Sequence, residues 1–332
     1  MIDPLLQRCA ELYGVDPASI LPLAGGNYSQ VFGFTRDPQQ CVLRVAPPDS
    51  EIDLPGLRSI LDWMAYLACH EAAVSRALVS TNDRVIEAVE MEPGKPYLVV
   101  AFERAAGLLA QELPLERWSD ALLHSLGRSV GRMHALARAY RPPAGVQPRP
   151  DWEGSGNCFT SLNVLDETQS LVAQRKSAVL AEIRELPRDP EGYGLIHTDL
   201  HFANFFVDPV NLAITFFDFD DCAYGWYAMD LAMLLFDALV LYPDQDRTEF
   251  ATWFMHNLLS GYLPESQLPY FWIEQLPRFL KLVEIGVYTD LYRTFDPMGD
   301  DFWVSAFMPG RKELIEAGVP YVDLDFKKLA VG

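Results

Sequence analysis

Basic residues are scarce in this chain of 332 residues, which has 26 lysines and arginines against 46 aspartates and glutamates. The net charge of −20 argues against a nucleic-acid partner, because binding to phosphate backbones needs clustered lysine and arginine. A solvated acidic surface explains most of this charge. The acidic balance also favours a cationic or amine-bearing substrate over an anionic one.

Cysteines and long apolar runs are also few. The cysteines are Cys9, Cys41, Cys69, Cys158 and Cys222. They are odd in number and contain no C-x-x-C pair, which argues against a disulfide framework or a zinc site and indicates reduced, cytoplasmic thiols. The most apolar window, residues 231–242, is interrupted by Asp237 and is too short to span a bilayer. Residues 1–4 do not begin a signal peptide, so we expect a cytoplasmic protein with no membrane partner.

Hydropathy patterns predict an α+β protein of two lobes, with enough apolar residues for a large core. Residues 1–103 are predicted to form a small lobe with a five-stranded antiparallel sheet and one main helix. The expected strands are residues 20–23, 31–35, 41–45, 85–89 and 97–102, and the expected helices are residues 5–13 and 57–76. Residues 104–332 are predicted to form a mostly helical lobe. Its helices are expected at residues 120–140, 167–185, 229–241, 249–262 and 270–293.

Two apolar strands that end in polar residues are the most informative part of the chain. The first runs into His197-Thr198-Asp199, and Asn204 follows five residues after Asp199. The second ends in Asp218, fourteen residues after Asn204. Phosphoryl transfer uses one carboxylate to orient a hydroxyl, and an amide oxygen and a second carboxylate to hold Mg²⁺. Asp and Asn also favour turns, but their arrangement after two strands favours a phosphoryl-transfer site over simple turns.

These motifs resemble those of the aminoglycoside phosphotransferase and choline kinase family, a branch of the protein-kinase-like fold. The family's catalytic loop matches residues 197–204, its metal-binding segment resembles residues 217–221, and its later Asp-Leu-Ala is present at residues 230–232. Segments similar to homoserine-kinase-like enzymes and bacterial stress-response Ser/Thr kinases are residues 41–45, 62–64, 131–136 and 149–152. The resemblance implies a two-lobe protein-kinase-like fold. In that fold, residues 1–103 would be the nucleotide-binding lobe and residues 104–332 the catalytic and substrate lobe.

The resemblance also implies ATP and Mg²⁺ as cofactors and assigns the catalytic groups. Asp199 would be the catalytic base that orients the acceptor hydroxyl. Asn204 and Asp218 would be the Mg²⁺ ligands, with Asp220 as a supporting carboxylate. Direct in-line transfer of the γ-phosphoryl group, without a covalent enzyme intermediate, is the mechanism expected of this set.

Nucleotide contacts are implied at two further places. Gly25 and Gly26 would let backbone N–H groups approach the phosphates, since glycine adopts the required dihedral angles without steric cost. Ala101 and Phe102 would face the adenine at the segment that joins the two lobes.

One departure from the family concerns the third strand, where the fold usually has a phosphate-binding lysine. This chain has Arg44, which can bind phosphate with two N–H groups but is bulkier and planar. We expect Arg44 to contact phosphate and Asp62, on the following helix, to pair with it. His197 is expected to support the catalytic loop through backbone contacts, and Asp230 is expected to hold that loop from the next helix.

Three functions are compatible with these residues. The first is a kinase that phosphorylates a hydroxyl of a small, amine-bearing molecule such as an amino alcohol, an amino acid or an aminoglycoside. The second is a Ser/Thr protein kinase of the stress-response type. The third is a nucleotide-binding pseudokinase, which Arg44 favours but which the presence of Asp199, Asn204 and Asp218 disfavours. No pattern in the sequence names the acceptor or specifies an oligomeric state.

Overall fold

The structure is a computed structural model that describes residues 3–23, 29–154, 159–160, 165–243, 245–294 and 302–329. The chain forms two compact units. The first comprises Met1–Gly107, Tyr140–Pro148 and Thr215–Asp220. The second comprises Leu108–Ala139, Arg149–Ile214 and Asp221–Gly332. Two later segments thus join the N-terminal part of the chain in the first unit.

The first unit contains a six-stranded antiparallel sheet. Its strands are β1 (Leu21–Pro22), β2 (Gln30–Arg36), β3 (Gln39–Ala46), β4 (Ala77–Leu78), β5 (Glu87–Glu92) and β6 (Lys95–Glu103). The order is β1-β2-β3-β6-β4, and β5 also pairs with β6. The prediction of five strands was one short, because β4 has only two residues and forms no hydropathy pattern of its own.

Two helices accompany this sheet, α1 (Pro4–Tyr13) and α2 (Leu54–Cys69). Helix α1 begins with a proline after the capping side chain of Asp3 and ends at Gly14, which has a left-handed φ of 66°. Helix α2 ends at Cys69, seven residues before the predicted end at residue 76. The reason is that Glu71 adopts a left-handed φ of 59°, which is incompatible with a right-handed helix. The buried face of α1 packs against β3 and β6 to form the core of this unit.

The second unit is mostly helical. Its helices are α3 (Asp120–Ala139), α4 (Ser170–Arg184), α5 (Tyr227–Leu241), α6 (Arg247–Ser266), α7 (Tyr270–Glu274), α8 (Leu276–Thr294), α9 (Phe302–Phe307) and α10 (Arg311–Glu316). Its strands are β7 (Leu108–Leu109), β8 (Tyr193–Ile196), β9 (Phe205–Val207) and β11 (Ala223–Trp226), whereas β10 (Ile214–Phe216) lies mostly in the first unit. The single helix predicted at residues 270–293 is two helices, because Pro277 stands in the first turn of α8 and favours a new helix start.

Helices α3 and α6 pack so closely that their backbones are in contact. A Cβ atom added at Gly127 would lie 1.8 Å from the carbonyl oxygen of Leu258, and one at Gly261 would lie 1.9 Å from that of His124. Only glycine fits at these two positions, since real Cβ atoms essentially never approach so closely. The close packing holds α3 in place, and α3 carries the buried side chain of His134.

Helix α5 is the central apolar element of the second unit. All of its residues except Leu241 are buried, including two aspartates, Asp230 and Asp237. Strands β8 and β11 pair antiparallel beside it, with Ile196 opposite Ala223, so the chain leaves β8 at a fixed position for the loop that follows. In the described ranges, no helix is long and apolar enough to cross a membrane.

Candidate active site

The predicted catalytic loop, residues 197–204, connects β8 to β9 and is held by Asp230 of α5. The two oxygens of Asp230 accept hydrogen bonds from the backbone N–H groups of His197 and Thr198, each at 2.9 Å. Thr198 adopts a φ of 65°, a conformation that costs a threonine free energy and needs such support. Asp230 thus contacts the backbone of the catalytic loop at His197 and Thr198.

Asp230 is in turn supported by a buried histidine. The Nε2 atom of His134 lies 3.1 Å from Asp230 Oδ2, and its Nδ1 atom lies 2.9 Å from the hydroxyl of Tyr262. Burial lowers the pKa of His134, although its hydrogen bond with Asp230 opposes this shift. A neutral His134 that donates from Nε2 to Asp230 satisfies both contacts.

The side chain of Asp199 is oriented by two neighbours in the loop. Asn204 donates from Nδ2 to Asp199 Oδ2 and to the Asp199 carbonyl oxygen, both at 2.9 Å. His201 Nε2 lies 3.3 Å from the same carboxylate. Burial raises the pKa of Asp199, but the charge and hydrogen bond of His201 outweigh it, and the pKa is lowered from its ordinary value. Asp199 is therefore an ionised, oriented carboxylate whose side chain is still 34% exposed.

Asn204 is placed to offer an oxygen ligand. Its amide nitrogen is engaged by Asp199, so Oδ1 is the atom that remains for a cation. Asn204 is buried, with 5% of its surface exposed, and its orientation is fixed by these bonds. An amide oxygen of this kind is a hard ligand and suits Mg²⁺.

Asp218 and Asp220 lie in the first unit, directly after β10, together with Arg44 of β3. Arg44 donates from Nε to Ser29 Oγ at 3.0 Å and from Nη1 to Asp220 Oδ1 at 2.6 Å, while Nη2 bonds Asp220 Oδ2. Burial lowers the pKa of Arg44, but the hydrogen bond and charge of Asp220 and the charge of Asp218 raise it overall. The three side chains thus form one charged group, in which Asp218 is the exposed carboxylate.

The predicted pairing of Arg44 with Asp62 is wrong. Asp62 accepts a hydrogen bond from the hydroxyl of Tyr140 at 2.6 Å, whereas the guanidinium group of Arg44 is bound on both terminal nitrogens by Asp220. The bidentate geometry of an arginine and a carboxylate explains why Asp220 holds this group. No local pattern indicates this pair, since its members are 176 positions apart in the chain.

The predicted nucleotide contacts are placed as follows. Gly25 and Gly26 lie outside the described residues. Ala101 is fully buried in the core of the first unit, and its backbone pairs with both β3 and β4. Phe102 follows it on β6 and is partly exposed, so of the two it has the side chain that can reach a ligand. The adenine contact of both residues stays a prediction.

Sequence reasoning missed one carboxylate beside the catalytic loop. Asp237 of α5 accepts a hydrogen bond from the backbone N–H of Phe202 at 2.6 Å. The signal available in the sequence was its position, seven residues after Asp230 within an otherwise apolar helix.

Known proteins are similar to this chain over nearly its whole length. The model of the phosphotransferase enzyme family matches residues 19–266. Amicoumacin kinase of Bacillus subtilis (strain 168) is 30% identical over 332 residues, which cover 98% of this chain and 96% of that protein.

Solved structures agree with this result. An amicoumacin kinase in complex with AMP-PNP, Ca²⁺ and Ami has a TM-score of 0.87 and 28% identity, and the match covers 98% of this chain and 96% of that one. A microcompartment-associated aminopropanol kinase has a TM-score of 0.73 and 24% identity, and the match covers 94% of this chain and 95% of that one. This second similarity shows a shared fold. The predicted kinase-like fold is confirmed, and the predicted cofactors agree with the nucleotide and divalent cation in the amicoumacin kinase complex. This chain belongs to the phosphotransferase enzyme family and is a phosphotransferase that uses ATP and a divalent cation.

Proposed function

We propose that this protein transfers the γ-phosphoryl group of Mg·ATP to a hydroxyl of an amine-bearing small molecule of the amicoumacin type. The observation that carries the proposal is the ionised Asp199 carboxylate, oriented by Asn204 and His201 and still open to solvent. The similarity to amicoumacin kinases, 30% identity with one and a TM-score of 0.87 with another, supports this acceptor class. The net charge of −20 suits an acceptor that carries an amine.

Asp199 has the role of orienting the acceptor hydroxyl and accepting its proton. A new bond forms between the hydroxyl oxygen and the γ-phosphorus, the bond between that phosphorus and the β–γ bridging oxygen breaks, and ADP leaves. A carboxylate with a lowered pKa stays ionised at neutral pH and available for this task. Such transfer depends mainly on positioning and on stabilisation of charge.

Asn204 and Asp218 are the residues that would hold Mg²⁺. Their donor atoms, an amide oxygen and a carboxylate, are hard oxygen ligands that fit this cation. Bound Mg²⁺ would neutralise charge on the nucleotide phosphates. Arg44 would contribute a second positive charge toward these phosphates, and Asp220 fixes the direction of its guanidinium group.

The test is release of ADP from Mg·ATP with pools of small hydroxyl compounds, with and without an amine, and with amicoumacin as one member. Asp199→Asn is the catalytic blank, and Asp323→Asn, an exposed aspartate, is the matched control. We expect release with amine-bearing pools that is lost in the first variant and kept in the second. AMP-PNP binding, measured by calorimetry, should persist in both variants.

The alternatives give different results. If no pool of compounds causes ADP release and a protein substrate is phosphorylated, the protein is a Ser/Thr protein kinase. Nucleotide binding without transfer to any of these compounds would contradict the proposed acceptor class. Activity with hydroxyl compounds that lack an amine, equal to that with amines, would remove the amine from the acceptor class.

A further inference from the structure

Helix α5 directs two buried carboxylates at the catalytic loop. Asp230 and Asp237 are seven residues apart, close to two helical turns, so both side chains lie on one face. Asp230 accepts the backbone N–H groups of His197 and Thr198 at the start of the loop. Asp237 accepts that of Phe202 near its end, at 2.6 Å. One face of one helix therefore holds the loop at both ends.

Asp237 lies in surroundings that disfavour its charge. It is 2% exposed, and within the described residues its Oδ1 atom has no hydrogen-bond partner. Burial raises the pKa of Asp237 to about 6, although the charge of His201 and the Phe202 hydrogen bond lower it. A buried carboxylate with one unsatisfied oxygen lowers the stability of the folded state, so its presence calls for another reason.

Phe202, the residue that Asp237 contacts, is held through its backbone N–H, its carbonyl oxygen and its ring. Its backbone N–H donates to Asp237, and its carbonyl oxygen accepts from the N–H of Gln111 at 3.0 Å. Its ring is fully buried and stacks on Trp118 with a centroid distance of 4.8 Å. A shift of Phe202 would therefore move the adjoining residues of the loop.

The residues on either side of Phe202 are the ones that orient Asp199. His201 precedes Phe202 and lies 3.3 Å from the Asp199 carboxylate, and Asn204 follows two positions later and donates to it at 2.9 Å. We propose that Asp237 is a positioning residue of the active site, which holds Phe202 so that His201 and Asn204 keep Asp199 oriented. This proposal rests on the proposed kinase function for its catalytic readout.

The proposal predicts that stability and activity respond in opposite directions. Asp237→Asn keeps the size of the side chain and an acceptor for the Phe202 N–H, but removes the buried charge. A hydrogen bond to a neutral acceptor is weaker than one to a carboxylate, so we expect kcat to fall about fivefold. The KM for ATP should stay unchanged, and the Tm should equal or exceed that of the wild type.

Glu284 of α8 provides the matched control. It is a fully buried carboxylate in the same unit, but its two oxygens are paired with Lys281 and Arg311. Glu284→Gln should lower the Tm and leave kcat unchanged at temperatures well below unfolding. A carboxylate with a merely structural role gives this result, and Asp237→Asn should give the reverse.

The experiment measures kcat, KM for ATP, Tm and hydrogen exchange of the Phe202 amide in the full-length wild type and both variants. Lower kcat at undiminished Tm, with faster exchange at Phe202, would support the proposal. Wild-type kcat in Asp237→Asn, or a loss of kcat that only follows a lower Tm, would overturn it. If the wild type phosphorylates no acceptor, the proposed function fails, and unchanged exchange at Phe202 would then overturn the positioning role separately.

Discussion

Asp237 and Glu284 are both buried carboxylates of the helical unit, yet their surroundings differ. Glu284 pairs with Lys281 and Arg311, and its side chain is 1% exposed. Asp237 has one backbone donor and, in the described part of the chain, an unsatisfied second oxygen. Burial alone therefore says little about the role of a carboxylate, since Glu284 is neutralised by two cations whereas Asp237 hydrogen-bonds to the backbone of the reactive loop.

The largest effect should come from the carboxylate that touches the acceptor in the proposed mechanism. Asp199→Asn removes the charge that orients and deprotonates the hydroxyl, so we expect kcat to fall about 100- to 10,000-fold. Its Tm should change little, because the side chain is partly exposed. ADP release measures the first quantity and calorimetry the second. If kcat fell only about fivefold, as expected for Asp237→Asn, Asp199 would be a positioning residue like Asp237 and not the group that contacts the acceptor.

Glu284→Gln should show the largest change in stability. Removal of one partner of a buried ion pair leaves Lys281 and Arg311 without compensation, which costs about 3 kcal/mol. Urea unfolding followed by circular dichroism measures this difference as a lower midpoint. Were Glu284→Gln as stable as the wild type, the contrast between paired and unpaired carboxylates would lose its basis.

Asp220 is an intermediate case, paired like Glu284 but next to a predicted metal ligand. In Asp220→Asn, Arg44 loses its bidentate partner. We expect the Kd for AMP-PNP to rise about tenfold, since a charge-assisted hydrogen bond is worth about 1.5 kcal/mol or more. Titration of AMP-PNP in the presence of Mg²⁺ gives this value.

Arg44→Lys is the control for that prediction, because it keeps the charge but cannot form the fork of two N–H groups with Asp220. If Asp220 acts through Arg44, both variants should weaken AMP-PNP binding by similar factors and the double variant by no more. Weakening by Asp220→Asn alone, with a higher Mg²⁺ requirement, would instead assign Asp220 to the cation.

Local patterns in the sequence predicted individual strands, helices and loops of this molecule. Strands β2 and β3, the helix predicted at residues 5–13 and the loop after β8 all have local hydropathy or turn signals. The partner of Arg44 could not be predicted, because pairing across 176 positions depends on the tertiary fold. Asp237 was visible as a polar residue in an apolar helix, but its contact with Phe202 required the packing of α5 against the loop.

The smallest effect concerns pH and tests the cost assigned to Asp237. Its pKa is about 6 in the folded protein against an ordinary 3.8, so the folded state disfavours its ionised form, which destabilises the protein above pH 6 and not below about 4. The titratable groups that face it are His201 and Asp199, and the pKa of Asp199 is lowered, so Asp199 stays ionised through this window. We therefore expect the Tm advantage of Asp237→Asn over the wild type to be largest at pH 7 and to vanish as the pH falls toward 4. Calorimetric scans of both proteins across this range measure the difference, and an advantage that grows toward acid would show that Asp237 carries a stabilising charge like that of Glu284.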